Sequence, residues 1–94
     1  MREALLEARC CRRARAEGWL CFKFSSPGQR GVPDRIFVRG GRVVFVELKA
    51  PGRPTTRLQD RRIADLRREG AEVHVLDSFP SLAAVLGLRE ELTG

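Results

Sequence analysis

Asp34, Glu47 and Lys49 are of residue types and spacing that could do chemistry together. Residues 34–39 and 42–49 are two β-rich runs separated by Gly40 and Gly41, and two glycines between such runs signal a tight hairpin. With those glycines as the loop, antiparallel pairing sets Arg39 opposite Arg42, Val38 opposite Val43, Ile36 opposite Phe45 and Asp34 opposite Glu47. Opposed positions share a sheet face with Cβ atoms about 4.5–5.5 Å apart, where like charges repel. Two facing carboxylates therefore call for a cation. An oxygen-rich set suits magnesium or manganese, whereas zinc favours histidine or thiolate neighbours, which the sequence lacks here. Lys49 lies two positions after Glu47, so strand alternation puts its amine on the same face. Oxygens that hold a divalent ion, plus a positioned cation, are what phosphodiester hydrolysis requires. Lys49 can serve as a base or as a fixed cation, and the sequence leaves both open.

The elements that must position these groups are readable from periodicity. Residues 2–17 read as a helix, with Leu6, Cys10 and Ala14 at helical spacing and Gly18 as a stop. Glu7 borders the apolar stripe, where a lone carboxylate needs a cationic partner. Residues 19–24 have strand composition and residues 25–31 form a polar, glycine-bearing loop. Val43, Val44, Phe45 and Val46 are apolar on both faces, as in a central strand covered on both sides. Residues 50–54 connect to a second helix from about 56 to 69, ending at Gly70; residues 72–76 read as a strand and 80–86 as a short helix. The order is α-β-β-β-α-β-α. The step from residues 42–49 through the helix to residues 72–76 has the length of a crossover between parallel strands, so a mixed four-stranded sheet flanked by helices is expected.

The 94 residues, 43% hydrophobic, make one domain spanning 1–94. A chain this short buries a modest share of its surface, so a partner subunit would help. The net charge of +6 points to a polyanion, nucleic acid first. Sixteen of the basic residues are Arg and two, Lys23 and Lys49, are Lys. Arginine does not release its proton at ordinary pH, whereas lysine can. Cys10, Cys11 and Cys21 have no CxxC spacing and read as small core residues, against a disulfide framework or zinc site. No apolar run is long enough to cross a bilayer, the N-terminus lacks a signal peptide's apolar core, and a cytoplasmic location is expected. Arg57, Arg61, Arg62, Arg67 and Arg68 recur along the second helix and could be a solvated face or phosphate contacts, as could Arg9, Arg12, Arg13 and Arg30. Without aromatic residues interleaved in these runs, recognition of backbone and shape is expected rather than base stacking. His74 is assigned no role. Thr56 and Gln59 fit a capping box, while Gln59 also shares an inward stripe with Ile63 and Leu66.

Gly31-Val32-Pro33-Asp34-Arg35, then Phe45-Val46-Glu47-Leu48-Lys49-Ala50-Pro51, then Gln59, closely resemble the virus-type replication-repair (VRR-NUC) branch of the PD-(D/E)XK nucleases. The resemblance extends over nearly the whole chain and implies a restriction-endonuclease-like core. It implies Asp34, Glu47 and the main-chain carbonyl of Leu48 as ligands of magnesium or manganese, Lys49 as the catalytic lysine, and Glu7 as the acidic residue of the first helix and a further ligand. Gln59 corresponds to the glutamine of the helix after the Glu-x-Lys motif, and Lys23 with Ser26 to the polar segment before Pro-Asp. Lys23, Ser26, Arg30, Arg35, Arg57 and Arg61 are the candidate DNA contacts. The implied activity is a homodimeric endonuclease on branched DNA such as four-way (Holliday) junctions, similar to virus-encoded enzymes and linked to DNA repair, in a bacterial or phage-infected cell and without a small-molecule substrate. The alternative is a basic nucleic-acid-binding module or subunit that does not cut.

Overall fold

The computed structural model describes residues 2–89. They form α1 (Glu3–Ala16), β1 (Leu20–Lys23), β2 (Arg35–Arg39), β3 (Arg42–Leu48), α2 (Arg57–Arg68), β4 (Glu72–Leu76) and α3 (Phe79–Leu86). One sheet runs in the order β1-β2-β3-β4, antiparallel through β3 and parallel between β3 and β4. This is the mixed α/β arrangement that the sequence implies. Gly40 and Gly41 both adopt positive φ, 57° and 82°, which matches the twist of a two-residue hairpin. The register follows from that turn, with Arg39 beside Arg42, Val38 beside Val43, Ile36 beside Phe45 and Arg35 beside Val46. Asp34 precedes the first bridged residue, one step further along the same register.

The core lies on one face of the sheet. Leu6, Cys10, Cys11 and Ala14 of α1 and Phe79, Leu82, Ala83 and Leu86 of α3 are buried in one cluster with Phe37, Val44, Val46 and Leu48. Each fully buried large apolar side chain contributes about 1.5–3 kcal/mol. The three cysteines are buried and free, and the Cys21 thiol donates to Cys11 Sγ at 2.9 Å. α3 begins at Phe79, one residue earlier than the expected 80, because Ser78 caps it by accepting from Ser81 N at 3.2 Å. Pro80 then occupies the first turn, where no N–H is needed.

The opposite face departs from the expectation of a strand covered on both sides. Val44, Val46 and Leu48 are fully buried, but Val43 is 46% exposed and Leu20 and Phe22 are 55% exposed each. α2 is the helix on this side, packed over β4. One helix about 10 Å wide cannot roof four strands spaced about 4.8 Å apart. Cover is therefore concentrated where Ile63, Val73 and Glu47 are buried.

Candidate active site

Each central side chain is fixed by a different local device. Pro33 is fully buried and its ring sets the backbone entering Asp34. The Asp34 carbonyl accepts from Phe24 N at 2.6 Å, and Asp34 Oδ2 accepts from Leu48 N at 3.3 Å. Glu47, near the end of β3, is 1% exposed. Lys49 N donates to Leu76 O at 2.9 Å, and its Nζ lies 3.6 Å from Glu47 Oε2. Gln59 fills both roles its position allows. Its N–H donates to Thr56 Oγ1 at 3.1 Å and its Oε1 accepts from Thr56 N at 2.9 Å, closing the capping box. Its Nε2 remains to donate to Glu47 Oε2 at 3.2 Å. The helix end thus holds the glutamine rigid against the carboxylate. Gly31, at φ 90°, lets the loop before Asp34 press on α2, since a Cβ there would lie 2.8 Å from Leu58 O.

Carboxylate oxygens of Glu3, Asp34 and Glu47 lie within 4.8 Å of one another. Burial, reinforced by the Asp34 charge, pushes the Glu47 carboxyl up to about 8; Lys49 opposes this and Glu3 adds to it. Among the described residues, Glu47 Oε1 is buried with no hydrogen-bond partner. A buried acceptor left unpaired costs about 1–3 kcal/mol, and a bound cation would relieve it. Three hard oxygen donors with neither thiolate nor imidazole fit magnesium or manganese.

α1 contributes Glu3, which sequence reasoning missed. Glu7 lies one turn further on, and its Oε1 accepts from Arg35 Nε at 2.6 Å. Arg35 alternates with Asp34 and Ile36, so this ion pair stands on the α1 side of the sheet. Glu7 and Arg35, both expected at the site, are thus committed to each other. Burial lowers and the Glu7 hydrogen bond raises the Arg35 pKa, for a net upward shift. The signal for Glu3 was present, because residues 3 and 7 share a helix stripe. Which turn meets the strand end depends on how α1 docks.

Leu48 meets the Asp34 carboxylate through its N–H, on the main chain next to the carbonyl expected as a ligand. Lys23, Arg30, Arg57 and Arg61 are exposed and Ser26 is half-buried. Arg62 and Arg68 are tied to Asp65 at 2.8 and 2.7 Å, and Arg67 donates to Val73 O at 2.8 Å. His74 Nε2 lies 2.8 Å from Glu72 Oε2, away from the cluster.

No family model matches the chain. It is 44% identical over 79 residues to "Putative nuclease p44" of Acyrthosiphon pisum secondary endosymbiont phage 1, across 83% of this chain and 85% of that protein. A solved structure described as "VRR_NUC domain" superposes with a TM-score of 0.82 and 29% identity, over 90% of this chain and 94% of that one. Another, "VRR_NUC domain protein", shares the fold at a TM-score of 0.78 and 19% identity, over 93% and 86%. With the hairpin register, the carboxylate cluster and Lys49 in place, these similarities lead to one assignment: the chain belongs to the VRR-NUC family of PD-(D/E)XK nucleases.

Proposed function

We propose that the protein is a magnesium- or manganese-dependent endonuclease that hydrolyses DNA phosphodiester bonds, with Glu3, Asp34 and Glu47 holding the ion and Lys49 and Gln59 completing the site. The observation that carries the reading is the Glu47 carboxylate, buried with Oε1 unpartnered beside two further carboxylates. A divalent ion there would supply charge to polarise the phosphate and acidify water. In the reaction a water oxygen bonds to phosphorus as a P–O bond breaks, and the leaving oxygen takes up a proton. Lys49 Nζ faces the reacting phosphate, balancing its growing negative charge or positioning the water. Gln59 fixes one Glu47 oxygen and leaves the other for the ion. A four-way or otherwise branched DNA is the proposed substrate, cut by a homodimer in the cytoplasm of a bacterial or phage-infected cell. The resemblance and the phage relative support that finer reading.

Labelled four-way junction and linear duplex, incubated with magnesium or manganese, test it. Wild type cuts the junction faster, while Asp34→Ala and Lys49→Ala each lower kcat by about a thousandfold or more, and a chelator abolishes cutting. Equal binding by wild type and Asp34→Ala with no cleavage under either ion makes the protein a non-cutting binding module. A solution mass equal to one chain, with and without DNA, removes the homodimer.

A further inference from the structure

An open cleft of about 830 Å³ adjoins the site: its lining includes Glu3, one of the three clustered carboxylates, and Lys49, whose Nζ lies 3.6 Å from Glu47 Oε2. Its other lining residues include Arg2, Arg53 and Thr56. Neither the Arg2 nor the Arg53 guanidinium has a carboxylate or hydrogen-bond partner among the described residues, unlike Arg35, Arg42, Arg62, Arg67 and Arg68. Yet both side chains spring from ordered backbone. Arg2 is the N-cap of α1, its carbonyl accepting from Leu6 N at 3.1 Å. Arg53 closes a four-residue turn by donating its N–H to Ala50 O at 3.0 Å. Pro51 and Gly52, at φ 81°, are the central residues, the pattern of a type II turn. Two forked cations, one from the N-cap of α1 and one from the turn after β3, thus line one cleft.

The charges explain why such a pair is needed. Three carboxylates and one divalent ion leave a net negative charge, which Lys49 cancels. A phosphodiester would meet no net attraction there, whereas Arg2 and Arg53 make the cleft as a whole positive. Guanidinium forks match phosphate oxygens bidentately. We propose that Arg2 and Arg53 form a phosphate clamp, a second anion subsite that grips a backbone phosphate beside the reacting one on the same DNA strand. The clamp rests on the reading of the protein as DNA-binding. It fixes the strand's position and contributes no base recognition. Neither arginine touches the reacting atoms, so both are positioning residues.

Equilibrium binding of a fluorescein-labelled duplex oligonucleotide, in chelator and across a series of potassium chloride concentrations, tests the clamp independently of cutting. Arg2→Gln and Arg53→Gln are expected to weaken binding about 5- to 10-fold each at low salt. Each also makes the plot of log affinity against log salt shallower by about one unit, and the double variant by about two. Arg53→Lys, which keeps the charge and loses the fork, restores the slope and part of the affinity. Arg68→Gln, whose side chain is tied to Asp65, stays within about twofold of wild type. A double variant with wild-type affinity and slope overturns the clamp, even if the protein cuts DNA. A wild type that fails to cut with either metal, while the clamp variants still lose slope, overturns the nuclease reading and leaves the clamp standing.

Discussion

Burial and a neighbouring like charge act on Glu47 in the same direction, holding its carboxyl at about 8 against an ordinary 4.5. Because the folded value is the higher one, the unfolded chain gives up this proton first. Glu47 therefore costs stability progressively as pH rises from about 4.5 to 8, and the loss is complete above that range. In chelator, Glu47→Gln should melt at least about 5 °C above wild type at pH 9, and the advantage should vanish near pH 4; thermal melts over that range measure it. Affinity for magnesium or manganese, read by titration calorimetry, should rise with pH and level off above about 8, because the ion competes with that proton. A second pair of variants separates the α1 acids. Glu3→Gln should weaken metal binding about tenfold or more. Glu7→Gln should leave it within about twofold while lowering stability by about 1 kcal/mol, through the stranded Arg35. Equal effects on metal affinity would contradict the placement of Glu3. Asp34, Glu47 and Lys49 could be placed on one face from sequence because turn length and strand alternation are local rules. Choosing between Glu3 and Glu7 could not be local, since both lie on one helix stripe.

Among the elements, the contact of the loop before Asp34 with α2 decides how well the site is held. Gly31 combines positive φ with a 2.8 Å approach of any added Cβ to the Leu58 carbonyl, so Gly31→Ala meets both backbone strain and collision. It should lose about 2–3 kcal/mol, seen as a fall in melting temperature of about 10 °C or more. Cutting should fall further than the unfolded fraction explains, because α2 carries Gln59 toward Glu47. A variant that melts like wild type would show that the loop can retreat at little cost. The hairpin between β2 and β3 was legible because Gly40 and Gly41 fix its register. The partial cover of the α2 face was not, because an apolar run such as Val43 to Val46 says nothing about how much roof the fold supplies.

For the whole molecule, net charge and the metal cluster have separate signatures. With a net charge of +6, DNA affinity in chelator should fall at least tenfold between about 50 and 200 mM salt. It should vary little between duplexes of unrelated sequence, since exposed arginines meet phosphates rather than bases. Filter binding on several duplexes measures both, and a strong preference for one sequence would argue against backbone recognition. Saturating magnesium or manganese should raise the melting temperature of wild type and leave that of Asp34→Ala nearly unchanged, because only a folded cluster gathers the three carboxylates. The sequence alone determined the order of elements, the hairpin register, the buried stripe of α1 and the shared face of Asp34, Glu47 and Lys49. Those follow from turns and periodicities spanning a few residues. Tertiary structure alone decided that Glu3 joins the cluster while Glu7 is spent on Arg35. It also decided that Gln59 serves helix and site together, and that Arg2 and Arg53 face one cleft. Each of these depends on how a helix or turn docks against a strand distant in the chain, which no local spacing records.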